Sequence, residues 1–206
     1  MSEVLECRRE LIVDKSADEV WQWLSNIRHV MTANQFHLSI DCDDADAANP
    51  RAGLEVPILH EMMGRRFQRI ARITKFEDYA ISWGERIPDN AGYADAFPHS
   101  EGWQIEPLGP GRCRIKNHLR GRFMLPVGQL VGKYVWDTVM PSILDHDLQD
   151  VALAAGAIDK RGKVDTPPAA AALLRLVQAR EIDGKPVSEV LNVQMRLSKH
   201  AASEHR

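Results

Sequence analysis

The order of the secondary-structure patterns along the chain constrains its fold more than any single motif. Residues 5–13 alternate between apolar and polar positions, which is typical of a strand with one buried face. An amphipathic helix is predicted directly after it, over residues 16–27, and a long apolar helix is predicted over 127–155. Several β-like segments separate the two helices. This order predicts a sheet wrapped around a helix, with a cavity between them.

The start of the first helix is marked by a capping box. Ser16 is suited to the N-cap, and Glu19 follows three residues later, where its side chain can return to the Ser16 backbone. The buried stripe of this helix is predicted to contain Val20, Trp23, Leu24 and Ile27, which recur at helical spacing. A second short helix is possible over residues 28–36.

The middle of the chain reads as a series of strands. The predicted strands cover 37–42, 54–63, 65–77, 79–87, 99–107 and 112–123. The sequence LGPG at 108–111 indicates a hairpin between the last two. In contrast, the acidic segment 43–53 is predicted to be an exposed turn region, and 88–98 a loop.

The closing helix contains a proline. Pro141 lacks a backbone N–H and removes the hydrogen bond to the carbonyl of Asp137, so a kink is expected there. Gly156 is a plausible C-cap.

The composition changes after residue 156. A polar linker at 158–168 precedes two short helix-forming segments, 169–181 and 187–200. We therefore predict a ligand-binding domain at 1–156 and a linker with a helical extension at 157–206. The two short helices cannot bury their apolar faces alone. They are expected to dock on the domain or on a second chain, and a homodimer through residues 167–200 is one possibility.

The composition excludes several classes of function. The formal net charge is −3, whereas a general nucleic-acid-binding protein usually has a basic domain. Three widely spaced cysteines argue against a disulfide framework or a zinc knuckle. No apolar stretch approaches the length of a membrane span, and the N-terminal segment lacks the apolar region of a signal peptide. We therefore expect a cytoplasmic protein without nucleic-acid or integral membrane association.

With these elements in order, the chain resembles the SRPBCC superfamily, also called START-like or Bet v 1-like. It is most similar to the polyketide cyclase/dehydrase and lipid transport branch. The resemblance covers residues 4–156 and rests on IVDKSADEVWQWLSN, ARITKFEDYAISW, GWQIEPLGPGRCRIKNHLRG and LQDVALAAGA. It implies an α+β helix-grip fold, in which a curved antiparallel sheet of about seven strands surrounds the long C-proximal helix. The superfamily includes lipid and sterol carriers, hormone receptors, polyketide cyclases and lyases, without a shared catalytic motif.

Alternation along the strands predicts which side chains face the cavity. In 112–120, Cys113, Ile115, Asn117 and Leu119 are expected to point inward, and the basic residues between them outward. The same reasoning gives a set of predicted ligand-binding residues on the strands and the closing helix: Arg9, Phe67, Arg69, Trp83, Trp103, Asn117, Tyr134, Val135 and Val139. Alternatively, Arg9 and Arg69 have no role in ligand binding and either pair with Glu101 or reach solvent at the rim of the sheet.

His99 and Glu101 are the candidate catalytic pair. They share a strand face with Trp103 and Ile105, so the carboxylate could orient the imidazole as an acid/base pair for cyclisation or dehydration.

No metal or cofactor is predicted from the sequence. His146 and Asp150 lie one helical turn apart, but no third ligand accompanies them, which favours a solvated acidic face. Cys113 is expected to be a small buried side chain and not a nucleophile.

Three functions remain open at this point. The first is binding or carriage of an apolar or amphipathic small molecule, such as a lipid, polyketide, isoprenoid or aromatic compound. The second is a cyclase, dehydratase or lyase that uses His99 and Glu101. The third is an interaction module that acts through the C-terminal helices.

Overall fold

The computed structural model describes residues 3–62, 64–92, 95–124, 126–164, 166–179, 181–182 and 185–186. Seven strands form one antiparallel sheet. Their bounds are β1 Leu5–Val13, β2 His37–Ile40, β3 Glu55–Met62, β4 Arg65–Glu77, β5 Ala80–Arg86, β6 His99–Gly109 and β7 Arg112–Gly121. The spatial order is β1-β7-β6-β5-β4-β3-β2, so the first two strands in the sequence form the two edges.

Six helices are present in the described residues, with a small hairpin after them. The helices are α1 Ala17–Leu24, α2 Ile27–Thr32, α3 Asp44–Ala48, α4 Pro126–Thr138, α5 Met140–Ala154 and α6 Pro168–Gln178. The hairpin pairs β8 Glu181–Ile182 with β9 Lys185–Pro186. None of these helices is long and apolar enough to cross a membrane.

The connection between β1 and β2 confirms the capping box and divides the predicted first helix. The Ser16 hydroxyl accepts from the Glu19 backbone N–H, and the Glu19 carboxylate accepts from the Ser16 backbone. However, α1 ends at Leu24, and Asn26 caps the separate helix α2 by accepting from the Arg28 backbone N–H at 3.0 Å. The apolar stripe continues through both helices because Ile27 is also fully buried.

The prediction that 43–53 is only a turn region was wrong. Asp43 accepts from the Asp46 backbone N–H at 2.7 Å and caps the short helix α3. Ala47 of this helix is buried against the core. An aspartate N-cap and acidic residues in the first turn stabilise the start of a helix. The same acidic residues led to the prediction of an exposed turn region.

Pro141 divides the closing helix completely. α4 ends at Thr138, and α5 begins at Met140 with the proline in its first turn, where a missing N–H costs nothing. The sequence predicted a kink, and the structure has a break at Val139. Gly156 follows α5 with a φ of +64°, in agreement with the predicted C-cap.

The helices cover one face of the sheet. α5 packs on β1 and β7, α4 on β1, and α1 on β6 and β7. The larger apolar cluster contains Val20, Leu24, Ile58, Ile81, Trp83, Trp103, Ile115 and Leu148 among others. The smaller one contains Leu5, Cys7, Trp136, Val139, Ile143, Leu144, Ala170 and Leu174.

The first helix of the C-terminal extension docks on this smaller cluster. Ala170 and Leu174 of α6 are buried there, and α6 contacts α4. The second helix-forming segment, 187–200, lies outside the described residues. The division at residue 156 and a homodimer through 167–200 stay predictions.

Candidate functional site

The inward-facing rows of six adjacent strands each change from apolar to polar, along a line that crosses the sheet diagonally. Moving along each strand, the change runs from Ile40 to His37, Ile58 to His60, Ala71 to Arg69, Trp83 to Glu85, Trp103 to Glu101 and Ile115 to Asn117. We call the six polar residues His37, His60, Arg69, Glu85, Glu101 and Asn117 the polar band. All six are buried. Buried charged groups at this density are unusual unless they are paired or bind something.

The register of the sheet brings the polar band together. His37 lies opposite His60, and Glu85 lies opposite His99. Asn117 pairs with Trp103, which is two residues from Glu101 on β6. Residues that are distant in the sequence therefore meet on one concave surface.

The carboxylate of Glu85 is the centre of the larger half of the band. Four nitrogen atoms lie near it in addition to the indole of Trp83, which donates to Oε1 at 3.0 Å. They are His60 Nε2 at 3.1 Å, Arg69 Nε at 3.3 Å and His99 Nε2 at 3.4 Å from Oε2, and His37 Nε2 at 3.5 Å from Oε1.

This environment shifts the pKa values of Glu85, His37 and His60 in different directions. Burial alone would raise the pKa of Glu85, but the charge of His99 and the contacts with His37 and His60 outweigh it and hold the pKa well below its ordinary value. Burial opposes a charged His37, yet Glu85 raises its pKa. Burial dominates at His60 and lowers its pKa to about 4. His60 is therefore neutral at physiological pH.

Arg69 is held by a second carboxylate and by the backbone. Its Nη2 donates to Asp95 at 3.0 Å, and to the carbonyls of Glu85 and Phe97 at 3.1 Å each. Asp95 also accepts from the Phe97 backbone N–H at 3.0 Å, so the 88–98 loop is tied to the sheet. The predicted loop therefore supplies a buried partner to Arg69.

Glu101 is the centre of the other half, and among the described residues no cationic side chain is in hydrogen-bond contact with it. Its Oε1 accepts from the Trp103 indole at 2.9 Å and from Asn117 at 3.4 Å, and its Oε2 from Asn34 at 3.5 Å. Burial raises the pKa of Glu101, more strongly than the nearby charge of His37 lowers it.

Several buried polar atoms have no hydrogen-bond partner within the described protein. They include Asn117 Oδ1, Asp147 Oδ1 on α5 and Trp136 Nε1 on α4. Burial, and then the charge of Glu101, raises the pKa of Asp147 well above its ordinary value. Orphaned polar atoms in an interior require an explanation, such as water or a ligand.

The structure places most predicted cavity residues on the buried side. Trp83, Trp103, Arg69, Asn117 and Val139 are all at most 5% exposed. Phe67 and Val135 are half-buried, and Phe67 stacks on His60 with ring centroids 5.3 Å apart.

Arg9 and Tyr134 lie elsewhere. Arg9 forms a bidentate pair with Asp145 of α5, with both distances 2.7 Å, and it lines a surface cleft of about 250 Å³ beside Lys163. Tyr134 is 53% exposed. Arg9 is on the inward-facing side by alternation, but β1 is an edge strand, so its long side chain reaches the rim.

The predicted catalytic pair is not arranged as expected. His99 Nε2 faces Glu85, and its Nδ1 lies 3.0 Å from the carbonyl of Phe97. The carboxylate that approaches this imidazole therefore belongs to β5. Glu101 is instead bound by neutral donors.

Sequence reasoning missed His37, His60, Glu85 and Asp147. A usable signal was present for two of them, because His60 follows Val56 and Ile58 at a spacing of two, and Glu85 follows Ile81 and Trp83 in the same way. One nitrogen each from His37 and His60 and a Glu85 oxygen all lie within 4.8 Å of one another, which is suited to a metal ion. In contrast, Asp150 of the rejected His146–Asp150 pair forms an ion pair with Arg161.

Comparisons with known proteins identify the fold. No family model matches the sequence, and no curated protein matches it. Among solved structures, the Zhui aromatase/cyclase from Streptomyces sp. R1128 is 14% identical with a TM-score of 0.57, over 75% of this chain and 94% of that chain. A START superfamily protein from Mycobacterium smegmatis is 16% identical with a TM-score of 0.51, over 74% and 97%.

A third structure is norcoclaurine synthase from Thalictrum flavum in complex with dopamine and hydroxybenzaldehyde. It is 13% identical with a TM-score of 0.53, over 79% of this chain and 91% of that chain. At these identities the comparisons establish the fold alone. The chain has the α+β helix-grip fold of START-like and Bet v 1-like proteins, as its sequence resemblance implied.

Proposed function

We propose that this protein binds a small molecule with an apolar body and a polar end, in the interior between the sheet and helices α4 and α5. The observation that carries the proposal is the group of buried polar atoms without protein partners, Asn117 Oδ1, Asp147 Oδ1 and Trp136 Nε1. Leaving such atoms unpaired costs about 1–3 kcal/mol each. A ligand with hydroxyl or carbonyl groups would satisfy them.

The apolar side chains around Trp136 suit the apolar part of the ligand. Trp136, Val139 and Ile143 are buried in the smaller apolar cluster, and Phe97 and Phe123 pack against Trp136 with ring centroids 5.6 and 6.4 Å away. An apolar lining with a few convergent polar groups is the usual composition of a small-molecule site. Ligands of the lipid, polyketide, isoprenoid or aromatic type fit this lining.

The test is direct detection of a ligand and its dependence on Asn117. The protein is purified, its organic extract is analysed by mass spectrometry, and the intact protein is weighed under native conditions. The Asn117→Leu variant should lose at least about tenfold in affinity for the ligand found. The matched control is Lys116→Leu, whose side chain lies on the outer face of the same strand and should bind normally.

Two results would contradict the proposal. One is a bare mass in native spectrometry together with no binding of a hydrophobic fluorescent probe such as anilinonaphthalene sulfonate. The other is equal ligand affinity in wild type and Asn117→Leu, with both proteins folded by circular dichroism.

A catalytic role is the second candidate, and the protonation of Glu101 favours it. Two neighbouring buried glutamates have pKa values shifted in opposite directions, which is a common arrangement for acid and base groups. Glu101 would act as the acid in a cyclisation or dehydration. His99 stays a candidate base, with Glu85 as the carboxylate that faces its ring.

Turnover of the identified ligand, followed by liquid chromatography and mass spectrometry, separates the two candidates. In an enzyme, Glu101→Gln should lower turnover by about 100-fold or more while the fold is retained. If a product forms at the wild-type rate in Glu101→Gln and in His99→Ala, the catalytic assignment is wrong and the carrier function stands.

A further inference from the structure

The nitrogen atoms around Glu85 pose a problem of hydrogen-bond polarity. His37 Nδ1 lies 2.7 Å from the carbonyl of Met31, and His99 Nδ1 lies 3.0 Å from the carbonyl of Phe97. A carbonyl oxygen only accepts, so each Nδ1 carries the hydrogen. In a neutral ring the remaining Nε2 is then an acceptor.

Both of these acceptor nitrogens face a carboxylate, which is also an acceptor. His37 Nε2 lies 3.5 Å from Glu85 Oε1, and His99 Nε2 lies 3.4 Å from Oε2. Two lone pairs at this distance repel unless a proton or a cation lies between them. The hydrogen-bond geometry leaves His37 Nε2, His60 Nε2 and Glu85 Oε2 without partners, although all three side chains are at least 95% buried.

The charges of the surrounding groups also leave room for a cation. Two carboxylates, Glu85 and Asp95, face the single guanidinium of Arg69. With neutral imidazoles, this buried group has a net negative charge of one. An additional positive charge would therefore be stabilised there by electrostatic attraction in a medium of low dielectric constant.

We propose that His37, His60 and Glu85 bind a divalent transition-metal ion of the zinc class. Ligands of a tetrahedral zinc ion lie about 3.3 Å from one another, given zinc–ligand distances of about 2.0–2.1 Å. His37 Nε2 lies 3.5 Å from Glu85 Oε1 and His60 Nε2 lies 3.1 Å from Oε2, so each imidazole is near this spacing from one of the two carboxylate oxygens. One nitrogen of each histidine and one oxygen of Glu85 all lie within 4.8 Å of one another. Two imidazole nitrogens and one carboxylate oxygen favour zinc, iron or nickel over calcium or magnesium.

The groups behind the three ligands match a metal site as well. The Met31 carbonyl fixes the His37 tautomer so that Nε2 points inward. The Trp83 indole donates to Glu85 Oε1, and the Arg69 guanidinium lies beside Oε2. Metal-binding histidines and carboxylates are usually oriented by such second contacts. Phe67 stacks on the His60 ring and holds its plane.

This inference deepens the proposed function, since three protein ligands leave one position of a tetrahedral ion open to a polar ligand group. It is tested with the metal alone, so its failure and the failure of small-molecule binding are distinguishable. If no organic ligand is found, the metal titration can still be positive. If the metal does not bind, an organic ligand can still be detected.

The experiment is a titration of the full chain, first freed of metal by a chelator, with Zn²⁺ by calorimetry and with Co²⁺ by visible absorption. Binding of one ion per chain and the intense d–d absorption of four-coordinate Co²⁺ are expected. His60→Gln and His37→Gln should each weaken binding by at least about 100-fold. The control is His146→Gln, which alters a half-buried histidine on α5 and should bind as the wild type does.

Three results would overturn the proposal. The first is that the wild type gives no heat of binding with Zn²⁺ and no d–d absorption with Co²⁺. Protons on His37 and His99 would then explain how two acceptor nitrogens can face the Glu85 carboxylate. This result does not depend on any variant folding correctly. The second is unchanged affinity in both folded histidine variants. The third is a sulfur-to-cobalt charge-transfer band, which would place the ion at Cys7, Cys42 or Cys113.

Discussion

The two buried glutamates of the polar band have similar local settings and pKa values shifted in opposite directions. Glu85 and Glu101 lie on adjacent strands, are each 3% exposed, and each accept from a tryptophan indole two residues away. Burial raises the pKa of both. Around Glu85, however, His99, His37 and His60 reverse this effect and lower the pKa, whereas Glu101 has only neutral donors in contact and its pKa rises.

The difference teaches that burial does not decide the charge of a carboxyl group. Depth and the indole hydrogen bond are shared, so the basic side chains around Glu85, three imidazoles and the Arg69 guanidinium, are the variable that separates the two residues. The pKa of Glu85 is lowered among basic side chains, and that of Glu101 is raised among neutral donors. Four measurements test this distinction, from the largest expected effect to the smallest.

Replacing Glu85 with glutamine should have the largest effect. The substitution leaves the buried Arg69 guanidinium with Asp95 as its only carboxylate in contact, and breaking a buried charge pair costs about 3–5 kcal/mol. The free energy of unfolding is measured by urea titration in metal-free buffer. A loss below about 1 kcal/mol would mean that Glu85 is not ionised in the folded protein.

Asp147→Asn should stabilise the protein at neutral pH. Because Asp147 is buried and its pKa is raised, the folded state keeps this proton to a higher pH than the unfolded chain does. The free energy of unfolding of the wild type therefore falls as the pH rises from about 3.9 to the raised folded value.

The asparagine variant lacks that decrease. It should be more stable than the wild type at pH 7.5, by about 1.4 kcal/mol for each unit by which folding raises the pKa of Asp147. The difference should shrink as the pH is lowered to 4. A variant that is less stable than the wild type at every pH would show that Asp147 is ionised and paired.

The two tryptophans give a matched comparison of smaller size. Trp83→Phe removes an N–H donor to the carboxyl group whose pKa is lowered, and Trp103→Phe removes one to the carboxyl group whose pKa is raised. Hydrogen bonds to charged groups contribute about 1 kcal/mol more than neutral ones. Both side chains are buried, so the loss of packing largely cancels in the difference.

Thermal and urea unfolding of both variants give the measurement. Trp83→Phe should be the more destabilised of the two by about 1 kcal/mol. Equal losses, or a larger loss for Trp103→Phe, would contradict the assignment of charge to Glu85.

Glu101→Gln should have the smallest effect on stability. A carboxamide has the shape of the carboxyl group and keeps an oxygen that accepts hydrogen bonds, and the raised pKa of Glu101 shows that its charged form is disfavoured, so a change below about 1 kcal/mol is expected at pH 7. Urea titration beside Glu85→Gln makes the contrast direct. A loss as large as that of Glu85→Gln would require an ionised Glu101.

Local patterns predicted the elements of this fold well. The alternation over 5–13 became strand β1 at the predicted bounds, and the Ser16 capping box formed as expected. The burial of β7 follows the predicted faces, with Cys113, Ile115 and Asn117 inside. These features depend on neighbours a few residues apart, so a single sequence contains the necessary information.

Contacts between distant strands could not be predicted in the same way. Alternation indicates that Glu85 faces inward, but its contacts with His37, His60 and Arg69 depend on three antiparallel registers across β2 to β5. The one-residue interruption at Val139 lies where the proline was predicted to disturb the helix, whereas the packing of α4 and α5 against β1 is decided by the tertiary structure.

The amino-acid order was sufficient to establish which side chains face the interior, because inward and outward positions follow from the two-residue period of a strand. Which of those side chains are charged was decided only by the folded arrangement. Ionisation of a buried group depends on the distances to its neighbours, and the sheet places His37, 48 positions away in the sequence, within 3.5 Å of Glu85.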